Sequence, residues 1–194
     1  MDSFVIYDLE TTGLDPAGDD LIQIAAVRFR GGRVLADDSF FSYARPRRRI
    51  SAFIESYTGI AQAHVASAPS PEEVICRFSA WAANGTLIAH NGLRFDSKFL
   101  AATSHRSGRA VREISCIDSI HISKMLFGKA RGTGHSLDLV KARLGLADSS
   151  LRRHDARGDV DLLAKAVTAM SERLSLDVNL SGVPRHQTWL PASE

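Results

Sequence analysis

Apolar positions recur with a period of two in the first quarter of the chain and with a helical period in alternate stretches after it. Residues 4–10 (FVIYDLE), 21–30 (LIQIAAVRFR) and 34–43 (VLADDSFFSY) read as three strands, with Gly31-Gly32 as a hairpin turn and an antiparallel start. Ser70 is then an N-cap candidate, with Pro71 at the first helical position and Glu72 and Glu73 in the first turn, which predicts a helix to about residue 83. A short apolar strand at 86–89 follows, then a helix over 95–104, a strand at 113–117 and a helix over 118–126. Residues 128–134 (GKARGTG) are glycine-rich and basic and read as a loop; without a following Gly-Lys-Ser/Thr they do not make a phosphate cradle. Helices at 136–144 and 156–174 complete the pattern, and no internal repeat is visible. Strands in a meander, then strands alternating with helices, predict an α/β fold: a mixed sheet flanked by helices. Periodicity fades from Ser175, and Pro184 and Pro191 punctuate a tail over 175–194 without a clear element.

At 194 residues, 44% hydrophobic and 24% charged, the chain suits one globular domain, taken as 1–174 before the tail. No apolar run approaches the roughly 20 residues of a membrane span, and no basic leader precedes the first strand, so neither a membrane nor export is expected. Cys76 and Cys116 have no Cys-x-x-Cys partner, which argues against zinc or a disulfide framework and for two thiols in a reducing cytoplasm. Charge changes the picture only when divided. Residues 1–44 hold three basic and eight acidic side chains, a net −5, and the remaining 21 basic and 14 acidic side chains give +7. Arginines and lysines gather at 45–49 (RPRRR), at Arg106, Arg109 and Arg112, at 129–131, and at Arg152, Arg153 and Arg157 around His154. Taken singly such clusters are solvated loops; together with an acidic centre they suit a polyanion whose backbone is delivered to cations.

The candidate chemistry begins at the end of the first strand. Asp8 and Glu10 are two apart and therefore share a face of a strand that turns at Gly13. Like charges so close repel if buried, and a divalent cation is the usual compensation. Asp-x-Glu alone is common, but two further segments join it: HNGLRFDSKFL places Asp96 after the 86–89 strand, and HDARGDVDLLAKAV places His154 and Asp159 at a helix start. Five residues apart on one continuous helix, His154 and Asp159 would point about 140° apart. A helix beginning after His154, with Asp155 as N-cap, instead leaves His154 on the preceding loop and Asp159 in the first turns. His64, His90, His105, His121, His135 and His186 have no such company and read as ordinary surface histidines, and Phe95 as core.

The three segments, in this order, resemble the three motifs of the DEDDh family of 3′-to-5′ exonucleases, which includes the proofreading epsilon subunit of bacterial DNA polymerase III. The resemblance covers roughly residues 4–170. Tyr57-Thr58-Gly59-Ile60 is similar to the family's turn between the first two motifs, and SLDLVKARLGL at 136–146 to its Ser-Leu-Asp helix ending in Leu-Gly. One departure stands out: Gly92, Leu93 and Arg94 separate Asn91 from Phe95, one residue more than in the epsilon-like pattern.

This resemblance implies a ribonuclease H-like fold. It also implies that Asp8, Glu10, Asp96 and Asp159 hold two divalent cations, Mg²⁺ or Mn²⁺, with Asp8 bridging; an oxygen-only donor set is the one that selects hard cations over zinc. His154 is then the general base that takes a proton from the attacking water, and nucleoside monophosphates leave from the 3′ end. Thr11 meets the terminal 3′-hydroxyl through its backbone, Leu14 packs on the last base, and Asn91, Arg152 and Arg153 join the substrate contacts. The implied partner is a nucleic acid with a free 3′ end, DNA favoured over RNA. Nothing indicates a protein partner such as a polymerase. An exoribonuclease of the same superfamily, or a catalytically silent binding domain, are the alternatives; a silent domain has no chemical need for the full acid set with His154.

Overall fold

In the computed structural model, which describes residues 3–129, 134–147 and 154–192, β1 (Ser3–Thr11), β2 (Leu21–Arg30) and β3 (Arg33–Tyr43) form the expected antiparallel meander. Gly31 and Gly32 turn the β2–β3 hairpin at φ of 59° and 76°, left-handed values that a Cβ disfavours. Two short helices come next, α1 (Ala52–Thr58) and α2 (Gln62–Val65), then α3 (Pro71–Ala82) and β4 (Thr86–Ala89). After them the chain runs through α4 (Asp96–Arg106), β5 (Val111–Asp118), α5 (Ser119–Phe127), α6 (Leu137–Leu144), α7 (Ala156–Arg173) and β6 (Arg185–Pro191). The strand order is β3-β2-β1-β4-β5-β6, with β1, β4 and β5 parallel and β6 antiparallel to β5. Among the described residues no helix is long and apolar enough to cross a membrane.

Alternation along β1 organises both faces of this sheet. Phe4 and Ile6 point into a core shared with Val160, Leu163 and Val167 of α7 and with apolar residues of α5 and α6. Val5, Tyr7 and Leu9 point the other way, against Val74, Ile75 and Phe78 of α3 and Phe99 and Leu100 of α4. Asp8 and Glu10 have the parity of Phe4 and Ile6, so they continue the α7-facing row at the C-terminal end of the strand. The helix starts follow their local chemistry. Ser70 accepts the Glu73 N–H while the Glu73 carboxylate accepts the Ser70 N–H, closing a capping box ahead of Pro71.

Two expectations require correction, and a third falls partly outside the described residues. Neither α1 nor α2 was expected, because seven and four residues carry too little periodicity to register. The 128–134 stretch is only partly described: Gly128 caps α5, and residues 130–133 lie outside the described residues. The segment from Ser175, expected to lack a clear element, contributes β6, with Thr188 and Leu190 buried and Gln187 and Trp189 facing out. Long-range polar contacts fasten it. Ser79 Oγ donates to the Pro191 carbonyl at 2.6 Å, Ser104 Oγ to the Trp189 carbonyl at 2.9 Å and Thr188 Oγ1 to the Ser97 carbonyl at 2.5 Å. A strand held by partners 85 to 112 residues away has no signature within its own seven residues.

Leu190→Ala is expected to destabilise the protein by about 2–5 kcal/mol, the usual cost of emptying a fully buried leucine site. Urea or thermal unfolding measures it; a change within about 0.5 kcal/mol, the range for an uncritical surface position, would mean that β6 is not part of the core.

Candidate active site

The ends of β1, β4 and α7 meet at one cleft. At the end of β1, Glu10 and Thr11 are buried and Asp8 is half-buried. The loop that follows is stitched to itself: Thr11 Oγ1 donates to the Gly13 carbonyl at 2.6 Å, the Thr12 N–H to the Asp20 carbonyl at 2.9 Å, and Thr12 Oγ1 to the Asp19 carboxylate at 3.1 Å. Asp19 Oδ2 also accepts the Asp15 N–H at 3.0 Å. A Cβ on Gly13 would lie 2.3 Å from Asp19 Oδ2, so glycine is what lets this carboxylate close over the turn. The loop thereby carries Leu14 to the rim of the cleft, 84% exposed, which rules out a core role for that side chain.

After β4 the chain turns at Asn91, with φ of 61°. The Asn91 carbonyl accepts the N–H groups of Arg94 and Phe95 at 3.1 and 3.2 Å, and the Gly92 carbonyl accepts that of Ser97 at 2.9 Å. Asp118, at the end of β5, holds this turn from below: its carboxylate accepts the Asn91 N–H at 3.0 Å and the Leu93 N–H at 3.3 Å, and caps α5 through the Ile120 N–H at 3.0 Å. The long Asn91 to Phe95 spacing is accommodated as this compact turn, with Leu93 and Arg94 exposed and the Asp96 side chain buried at the head of α4. Phe95 is half-buried, its ring tilted 49° against that of Phe99 with centroids 4.9 Å apart, and also borders the cleft.

The third motif has the helix start expected of it. Asp155 is the N-cap of α7 and accepts the Arg157 N–H at 3.0 Å. His154 precedes it at φ of 62°, and its N–H donates to Asp159 Oδ2 at 3.3 Å. Gln23, the register partner of Glu10 on β2, accepts the Ala156 N–H through Oε1 at 2.7 Å. That buried bond ties the first turn of α7 to the sheet beside Glu10.

Glu10, His154 and Asp159 consequently offer ligand atoms that all lie within 4.8 Å of one another. Asp8, Asp96, Thr11, Leu14 and Asn91 line the same cleft, of about 570 Å³. A second lobe of about 670 Å³ opens beyond Asp8, His154 and Asp159 toward Lys124, His135 and Ser136. Burial, abetted by the neighbouring Asp118 carboxylate, pushes the Asp96 carboxyl up to about 7. Four carboxylates around one cleft, with the His154 imidazole beside them, form an oxygen-rich donor set that fits hard divalent cations. Of the residues selected from sequence, Arg152 and Arg153 lie outside the described residues.

Other cations have structural tasks. Arg47 pairs with buried Asp20 at 2.8 Å, Arg106 with Glu72 at 3.3 Å, and Arg157 with Asp155 at 2.7 Å while covering the Phe41 ring at 4.7 Å. His90, expected as an ordinary surface histidine, is half-buried on the cleft wall, hydrogen-bonded to Ser119 Oγ and the His135 carbonyl, each at 2.8 Å. Two contributors escaped the sequence reading. Gln23 sits in an apolar run that gives no hint of a polar role, and Tyr57 of α1, whose ring centroid lies 4.0 Å from that of His154, was visible only as part of a motif-like tetrapeptide.

A family model described as Exonuclease matches residues 5–167. The chain belongs to the exonuclease family. Among its relatives, a DNA polymerase III subunit epsilon-like protein of Rhodobacter capsulatus is 40% identical over 165 residues, 84% of this chain and 23% of that protein. A PolC-type DNA polymerase III of Thermotoga maritima is 34% identical over 172 residues, 89% of this chain and 12% of that protein. The exonuclease domain thus spans less than a quarter of the length of these curated relatives. Exonuclease X, solved in complex with 5′ overhanging duplex DNA, superposes with a TM-score of 0.70 at 23% identity, covering 91% of this chain and 96% of that one. E. coli Exonuclease I with a dT13 oligonucleotide gives 0.70 at 18% identity, covering 90% and 43%. The ribonuclease H-like fold and the family resemblance expected from the motifs are borne out.

Asp96 carries a pH signature. The folded protein holds its proton more tightly than the unfolded chain does, so metal-free stability should fall as pH rises from about 4 through about 7 and level off above. Asp96→Asn should flatten that slope. Urea unfolding in chelator across this range checks it, and equal slopes in both proteins would contradict the burial argument.

Proposed function

We propose that this domain is a metal-dependent 3′-to-5′ exonuclease that acts on DNA and releases nucleoside monophosphates. The observation that carries the reading is the convergence of Asp8, Glu10, Asp96 and Asp159 with His154 in one cleft, beneath an exposed Leu14. DNA is favoured over RNA because relatives carry the name DNA polymerase III. A cytoplasmic setting accords with Cys76 and Cys116, both free thiols.

Asp8, Glu10, Asp96 and Asp159 would hold two cations. Such cations, when bound, ease ionisation of water and neutralise charge on a leaving oxygen. The remaining steps belong to the chain. Thr11 holds the terminal 3′-hydroxyl through its backbone, and Leu14 packs against the last base from the stitched 11–20 loop. Asn91 borders the strand next to the scissile phosphate, while Arg152 and Arg153 contact phosphates further along. His154 takes the proton of the attacking water on its ring, while its backbone N–H donates to Asp159 and holds the residue beside the carboxylates. The water oxygen bonds to the scissile phosphorus as the bond from phosphorus to the 3′-oxygen breaks in line, the leaving 3′-oxygen takes a proton from solvent and the ring of His154 returns its own to solvent, giving a nucleoside 5′-monophosphate and a new 3′-hydroxyl.

End-labelled DNA and RNA oligonucleotides, single- and double-stranded, incubated in Mg²⁺ test this directly. The wild type should shorten DNA from a free 3′-hydroxyl one nucleotide at a time, with a 3′-phosphate slowing it sharply. Asp8→Ala and Asp159→Ala should abolish activity in folded protein, and His154→Ala should lose on the order of 10² to 10⁴ in turnover. Cutting of a circular single strand would make the protein an endonuclease. Near-wild-type turnover of either aspartate variant would break the metal-site assignment.

A further inference from the structure

We infer that Tyr57 is a positioning residue for His154, holding the imidazole over the carboxylates in the orientation in which it removes the proton. The inference rests on the reading of His154 as the base.

His154 sits in a left-handed backbone conformation outside the helix it precedes, where a solvent-facing side chain would sample several rotamers. Two contacts narrow that choice. The backbone N–H is tied to Asp159, and the ring lies against Tyr57 with centroids 4.0 Å apart and planes 29° from parallel, an offset stack at close approach. In this orientation a ring nitrogen lies within 4.8 Å of both Glu10 and Asp159. The stack therefore presses the imidazole toward the carboxylates.

Tyr57 can do this because α1 is anchored. Ser51 caps its N-terminus by accepting the Ile54 N–H, and Gly59, at φ of 76°, returns its N–H to the Glu55 carbonyl at 2.8 Å. Thr58 Oγ1 donates to the Ile54 carbonyl at 2.8 Å and accepts the Ile60 N–H at 3.1 Å. Ile54 and Ile60 pack with Ile22 of β2, so the helix is fixed to the sheet. Phe53, one turn before Tyr57, stacks behind it with centroids 5.9 Å apart and planes 11° from parallel. Phe53, Tyr57 and His154 thus form a short aromatic ladder from an anchored helix to the reacting centre. Tyr57 remains 48% exposed and Phe53 72%, so the ladder borders the open cleft. Misplacement of a base by about 1 Å can cost on the order of 10² in rate, so a ring that narrows its orientation acts on turnover.

Single-turnover kinetics on an end-labelled DNA oligonucleotide separates positioning from substrate stacking. Tyr57→Ala, Tyr57→Phe, His154→Ala and the Tyr57→Ala/His154→Ala double variant are compared, with thermal melts confirming the fold. Tyr57→Ala should lower the cleavage rate by about tenfold or more with little change in KM, and Tyr57→Phe, which keeps the ring and loses the hydroxyl, should recover most of it. In the His154→Ala background Tyr57→Ala should cost nothing further. A loss confined to KM, or an equal loss with and without His154, would make Tyr57 a nucleobase contact and overturn the inference. Full turnover by His154→Ala would remove the base itself, a separate failure that overturns both readings.

Discussion

Like-charged carboxylates gathered at one strand end are the constraint on which the rest of this molecule depends. The two-residue repeat of β1 puts Asp8 and Glu10 on the face already committed by Phe4 and Ile6 to packing against α7. The same packing brings the first turns of α7, and Asp159 with them, over the end of β1, while the turn after β4 delivers Asp96 into buried surroundings. Burial, with the Asp118 carboxylate beside it, raises the Asp96 carboxyl to about 7, so holding a charge there has a cost that hydrophobic packing elsewhere offsets. On the proposed reading, divalent cations turn this cost into a working site.

Supporting residues keep the carboxylates where the strand ends leave them. Gln23 pins the start of α7 beside Glu10, Asp118 clamps the Asn91 to Leu93 turn, and Gly13 lets Asp19 close the loop that carries Leu14 outward. None of these side chains needs to touch substrate. Their common function is to pair backbone groups at element ends, where orphaned N–H and carbonyl groups would otherwise permit movement.

Most of this was legible in the chain because it is local. Strand alternation, the Ser70 to Glu73 capping box and the Asp155 cap each lie within a few residues, and they placed β1, α3 and the start of α7 correctly. The acids and His154 were legible for a different reason: three spaced motifs resemble a family, and that resemblance needs no geometry. What escaped depends on distant partners. β6 is held by Ser79, Ser104 and Ser97, Gln23 acts through a residue 133 positions away, and Tyr57 acquires its neighbour only when α1 folds against the loop before α7. Periodicity has no access to contacts of that kind. Arg157 and Arg47, grouped by charge with a polyanion surface, instead form ion pairs with Asp155 and Asp20, because clustering in sequence does not say which charge lies opposite in space.

Thermal unfolding in chelator and in rising Mn²⁺, comparing the wild type with Asp8→Asn, bears most directly on the electrostatic account. The wild-type Tm should climb with Mn²⁺ and saturate, as binding to the folded state alone requires. Asp8→Asn should melt above the wild type in chelator, having lost one repelling charge, and should respond little to Mn²⁺. A wild-type Tm indifferent to Mn²⁺, together with an Asp8→Asn variant that melts below it in chelator, would contradict the claim that these carboxylates form a strained site awaiting cations.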